Sequence, residues 1–94
     1  MIVRWLEDAV DDLQSLHDYI AAENPSAANQ VAKRILKVIN LLSEQPGMGR
    51  QGRVPNTREL IVANTPFIVP YCVKSNVIEI LRVLHAAMQW PEDL

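Results

Sequence analysis

Apolar residues recur at spacings of three and four from Leu6 to Leu42, and the pattern is interrupted once, at Asn24-Pro25. Leu6, Ala9, Val10, Leu13, Leu16, His17, Ile20 and Ala21 fall on one face of a helix, and Ala28, Val31, Ile35, Val38, Ile39 and Leu42 on one face of another. Glu7, Asp8, Asp11 and Asp12 stand early in the first helix, where its dipole favours negative charge. Asn24 suits the cap of the second, with Pro25 at the first position, where a missing N–H costs nothing. The second helix must end before Pro46-Gly47. Two amphipathic helices joined by so short a turn form an antiparallel hairpin, and its apolar stripe needs a second layer to cover it.

That layer is readable in the flanking segments. Met1 to Trp5 reads as a short strand. Residues 46–57, with Pro46, Gly47, Gly49, Gly52, Pro55 and Asn56 around Arg50 and Arg53, read as a positively charged loop. Arg58–Val62 and Phe67–Val73 read as strands around an Asn64-Thr65-Pro66 turn. Lys74-Ser75-Asn76 closes a hairpin to a last strand, Val77–Leu84. That strand is apolar on both faces and so central. Pro70 cannot donate to a ladder, so its strand is bulged there or turns that position away from a neighbour. After His85 the tail is less regular, with one helical turn at Ala86-Ala87-Met88 before Trp90-Pro91. The expectation is an α+β fold in the order β-α-α-β-β-β: a helical hairpin on one face of a small antiparallel sheet, one domain over residues 1–94.

With 49% hydrophobic and 21% charged residues, the composition excludes a disordered chain. Cys72 is the sole cysteine, so no internal disulfide forms, and the chain fits a reducing cytoplasm. No apolar run approaches the roughly 20 residues of a membrane span, and the N-terminus is not that of a secretory leader. The net charge of −2 hides a polarity. Residues 33–82 carry eight Lys and Arg against three Glu, a net +5, and the remaining residues carry −7. A basic segment of this kind steers an acidic partner.

Standard catalytic patterns are missing. The glycines lack the strand–loop–helix setting of a phosphate cradle. His17, His85 and Cys72 have no metal-ligand spacing, so neither a metal nor another cofactor is expected. Mid-strand Cys72 reads as a buried, inert thiol. The polar candidates are Arg58, Arg82 and His85, with Arg50, Arg53 and Trp90 beside them. Each has a competing structural role. Arg82 can pair with Asp12 or Asp18, His85 can bond to backbone at a strand end, and Trp90 can pack on the sheet.

The run Glu79-Ile80-Leu81-Arg82-Val83-Leu84-His85 resembles the closing strand of toxins in the RelE/ParE superfamily, on its ParE-like branch. Ala9 to Ile20 with Asp12-Leu13, the turn Asn24-Pro25-Ser26-Ala27-Ala28, the loop Pro46-Gly47-Met48-Gly49-Arg50 and the strand start Thr57-Arg58-Glu59-Leu60 resemble the same family in order. The resemblance implies a cytoplasmic bacterial toxin of a type II toxin–antitoxin module, of the kind tied to plasmid stabilisation and held off by a cognate antitoxin protein. ParE-like members inhibit DNA gyrase; RelE-like members cut messenger RNA on the ribosome. The nucleases carry an arginine that, aligned on Tyr71, falls near Ile68, and a nonpolar side chain cannot stabilise a pentacoordinate phosphate. The expectation is therefore a gyrase inhibitor. The alternative is a ribosome-dependent endoribonuclease using Arg58, Arg82 and His85. Contact with target or antitoxin falls to Arg50, Arg53, Arg58, Arg82, His85 and Trp90. An antitoxin tail would wrap the apolar groove and free sheet edge as a helix and a strand, and an acidic one would suit the +5 segment.

Overall fold

A computed structural model describes all 94 residues. The elements are β1 (Ile2–Trp5), α1 (Glu7–Ala21), α2 (Pro25–Leu41), β2 (Arg50–Gln51), β3 (Arg58–Ile61), β4 (Phe67–Lys74), β5 (Val77–Ile80) and β6 (Leu84–His85). The helical hairpin lies where the periodicity placed it. Asn24 caps α2 by accepting from the Ala27 N–H at 3.1 Å, and Pro25 opens it. Val10, assigned to the apolar stripe, is half exposed, whereas Ala9 and Leu16 are buried.

The sheet runs β1-β5-β4-β3-β2, with β6 pairing the start of β4. It is mixed, not antiparallel throughout: β1 pairs parallel with β5, Ile2 opposite Val77 and Trp5 opposite Ile80. The hairpin intervenes between these strands, and a parallel pair needs such a long crossover. Ser75 and Asn76 both take positive φ, as a two-residue turn between right-twisted strands requires.

Two strand expectations need correction. Arg50–Gln51 is not loop but an edge strand on β3. The last strand is not continuous from Val77 to Leu84. It bends at residues 81–83 and resumes as β6. Pro70 stands opposite this bend, its carbonyl accepting from the Leu81 N–H at 3.0 Å. A residue without a donor is tolerated where the ladder is already interrupted.

The core lies between hairpin and sheet. Ile35, Ile39 and Leu42 of the second helical segment meet Leu60, Val69, Ile78 and Ile80 of the sheet. Each such buried side chain contributes about 1.5–3 kcal/mol. The opposite pleat of β4, Ile68, Pro70 and Cys72, is buried as well. Cys72 approaches Glu79 Oε1 at 3.5 Å, and burial, then that carboxylate, push its thiol pKa up. The thiol is buried, as expected, and both effects disfavour its reactive thiolate. No helix is long and apolar enough to cross a membrane.

Candidate functional site

A groove of about 600 Å³ opens between α1 and the segment running from the 81–83 bend into the tail. Leu16, Tyr19 and Ile20 form its helical wall. Phe67 and Val83 form its floor, and Leu84, His85, Met88 and Trp90 its far wall. Tyr19 is 84% exposed and Met88 68% exposed, high values for side chains that line one apolar trough.

One polar contact sets the geometry of this groove. Arg82 donates from Nε to Asp12 Oδ2 at 2.7 Å and from its terminal nitrogen to Oδ1 at 2.9 Å. Asp12 Oδ2 also accepts from the Val83 N–H at 2.9 Å. The bend frees that N–H from the ladder, and a carboxylate on the facing helix takes it up. Hydrogen bonding to the Asp12 carboxylate holds the Arg82 pKa above its usual value.

A second cluster holds the loop before β3. Glu59, with only 3% of its surface exposed, accepts from Arg50 at 3.0 and 3.3 Å through Oε1. Its Oε2 accepts from the Arg53 backbone N–H at 2.9 Å and from Arg53 Nε at 3.2 Å. Burial alone would raise the Glu59 pKa, but the Arg53 N–H and the two guanidinium groups outweigh it and lower the value. The Arg53 guanidinium lies over the Trp90 ring, 3.5 Å from its centre. Trp90 Nε1 in turn donates to the His85 carbonyl at 3.2 Å. The loop and the far wall of the groove are thus tied through one stacked pair.

Arg58, itself exposed, braces the same loop. It donates to the Gly49 carbonyl at 2.8 Å and to that of Gly47 at 3.4 Å. The buried Tyr71 hydroxyl donates to the Pro46 carbonyl at 2.8 Å and accepts from the Gly49 N–H at 2.9 Å. A side chain at position 49 would sit 2.7 Å from the Tyr71 ring, so glycine is required there.

Of the six contact candidates read from the sequence, Arg82, His85 and Trp90 share the groove, and Arg53 reaches it through Trp90. Arg58 faces a separate polar recess with Gln51, Asn56 and Thr57. Arg58, Arg82 and His85 are thus not gathered in one site, as the nuclease alternative needs. His85 Nδ1 accepts from the Ala87 N–H at 3.0 Å, and its ring stands edge-on to Phe67 at 5.6 Å. Ile68, near the position of the nuclease arginine, is 7% exposed and pairs with Ile61 and Leu84 on either side. Sequence reasoning missed Tyr19 and Met88 as groove residues. Tyr19 follows Leu16 by three, at the edge of the stripe, which is the one signal that could have marked it. It also missed Glu59, whose burial no local pattern announces.

The model of the ParE toxin of type II toxin–antitoxin systems (parDE) matches residues 3–90. The chain is 42% identical over 92 residues to the toxin candidate Y4kP of Sinorhizobium fredii, covering 98% of this chain and 95% of that one. It is 35% identical over 85 residues to toxin RelE2 of Caulobacter vibrioides, covering 90% and 94%. A solved structure of the chromosomal ParDE system from P. aeruginosa superimposes with a TM-score of 0.81 at 31% identity, covering 90% of this chain and 95% of its own. With the fold, the length and the sequence in register from the first strand to the tail, the chain belongs to the ParE toxin family of type II toxin–antitoxin systems.

Proposed function

We propose that this toxin acts by binding a protein target, DNA gyrase, and cuts no RNA. The observation that carries this reading is that the arginines a nuclease would use are committed to the fold. Arg82 is clamped on Asp12, and Arg58 on two loop carbonyls. Cleavage of RNA needs cations free to meet a developing phosphorane charge, together with an acid and a base. Ile68 offers neither in the strand where relatives of the nuclease branch place such a group. Arg50 and Arg53, each about half exposed above Glu59, are the cations best placed to meet a target. The cognate antitoxin neutralises the toxin by filling the groove between α1 and the tail, where exposed Tyr19 and Met88 await cover.

The likeness to a relative named toxin RelE2 supports a second reading, the RelE-like activity that the family resemblance implies, ribosome-dependent cleavage. One paired experiment separates the two: gyrase supercoiling beside primer extension on translated messages. Loss of supercoiling without codon-level cuts is expected. Cuts with supercoiling intact would establish the nuclease instead, and no effect in either assay would mean a toxin that has lost its activity.

A further inference from the structure

The helical border of the groove has one sign, and on the far wall the Arg53 guanidinium stacked on Trp90 is already paired with Glu59. α1 carries Glu7, Asp8, Asp11, Asp12 and Asp18 and no lysine or arginine. Asp12 lies inside the groove and is neutralised by Arg82. Asp8 and Asp11 are exposed and have no ion pair, and Asp18 is exposed with Gln14 and His17 beside it. Helical spacing puts these acids along the open edge. Asp8 stands one turn before Asp12, while Asp11 and Asp18 stand one turn before and after Ser15, another lining residue. On the far side the chain passes from Trp90 to exposed Glu92 and Asp93. The basic residues 33–82 contribute Arg82 to this lining, and Asp12 consumes that charge.

We infer that the groove is built for a basic amphipathic helix of the partner. Its apolar stripe would lie on Leu16, Tyr19, Phe67 and Met88, and its lysines or arginines would meet Asp8, Asp11 and Asp18. The helical wall from Asp8 to Asp18 spans about 15 Å, so roughly three turns of partner helix fit along it. Such a helix buries its apolar face as two packed helices do, and its flanks find opposite charge at the rim. This reverses, for the groove, the acidic polarity that the central +5 segment suggests for an antitoxin. The inference rests on the antitoxin reading for the identity of the partner, but not for the chemistry of the site.

The test uses the full-length protein and two synthetic helical peptides of equal length. Both carry one leucine stripe; the polar face is lysine in one and glutamate in the other. Affinity is measured by calorimetry, and the site is mapped by NMR shifts. At low salt the lysine peptide should bind roughly tenfold more tightly than the glutamate peptide, since three rim acids each add a modest exposed attraction. The gap should close in about 0.5 M salt, where screening is nearly complete. A D8N/D11N/D18N variant should erase the gap, weakening the lysine peptide and relieving repulsion of the glutamate peptide, and Tyr19→Ala should weaken both peptides. Shifts should centre on Tyr19, Phe67, Met88 and Trp90. Equal or tighter binding of the glutamate peptide would overturn the inference. So would a lysine preference that survives the triple substitution, shifts centred elsewhere, or no binding by either peptide. None of these outcomes alters the supercoiling assay, so this inference and the toxin reading fail separately.

Discussion

At the Asp12 cluster, carboxylate and arginine are similarly buried, with 18% and 27% of their side chains exposed. At the Glu59 cluster, the carboxylate is 3% exposed while Arg50 and Arg53 are each about half exposed. Both are arginine–carboxylate sites that also capture a backbone N–H, that of Val83 in one and Arg53 in the other. They differ in which member can escape to water. Neither partner at Asp12 is deeply buried, so a broken pair there can partly rehydrate. Glu59 cannot, and it depends on two cations that sit at the surface. Exposed arginines are usually minor for stability; here they are the sole charge compensation for a buried carboxylate.

The sharpest way to break this contrast is to remove the exposed members. R50A/R53A leaves Glu59 buried with one backbone N–H, and should cost about 3–5 kcal/mol in urea unfolding at pH 7. Glu59→Gln in the wild-type background should cost less, about 1–2 kcal/mol, because no buried charge is left behind. If Glu59→Gln proves the more damaging change, the exposed arginines are not what Glu59 depends on.

The pH dependence should invert between the two proteins. In the wild type the native Glu59 pKa lies below its ordinary value of 4.5. Its stabilisation is therefore complete above that value and fades as pH falls through the lowered native one. Without the Arg50 and Arg53 side chains, only the backbone N–H of residue 53 still opposes burial, the larger effect, so the native pKa should move above the unfolded one. The native state then binds protons more readily, so the double variant should gain stability as pH falls from 7 toward 5, while the wild type shows no such gain from this group. Parallel unfolding curves at pH 7 and 5 decide it, and two curves of the same slope would refute the inversion.

Asp12→Ala should come next, at about 2–3 kcal/mol. It strands the Val83 N–H at the bend and removes two charge-assisted bonds, but leaves Arg82 partly hydrated. Asp12→Asn keeps an acceptor for Val83 and should cost about half as much. A loss above that of R50A/R53A would reverse the ranking of the two clusters.

The same two clusters mark how far the sequence could be read. The hairpin was legible because its period, its Asn24 cap and Pro25 are all local signals. The Asp12–Arg82 pair was anticipated as one option, since a sheet arginine beneath an acidic helix has few other partners. The bend that gives the pair its purpose was not. The run Val77–Leu84 is mostly apolar, and nothing local shows that an aspartate 71 residues away will draw the Val83 N–H out of the ladder. Glu59 reads locally as one polar residue of a strand. Its burial comes from Arg50 and Arg53 folding over it, a consequence of β2 pairing with β3 at Arg50–Glu59. The groove was expected in kind, and its polarity was not, because charge summed along a chain does not say which elements share a wall. The parallel pairing of β1 likewise depends on a crossover, not on the five residues of the strand signal.

The smallest effect separates the roles of Arg53. Its backbone N–H and Nε serve Glu59, while its guanidinium plane covers Trp90. Trp90→Phe keeps an aromatic face under the cation but removes the Nε1 donor to the His85 carbonyl. Its cost in global unfolding should be about 0.5–1 kcal/mol. The local effect should be more visible. Ala87 and Met88 hold to His85 through its Nδ1 and its carbonyl, and the amide protons of both should exchange several-fold faster once that carbonyl loses its indole partner. Arg50 and Arg53 amides should keep their protection, because Glu59 retains every bond it has. If their exchange rises together with that of Ala87 and Met88, the stack carries more than the tail, and loop and groove wall open as one unit.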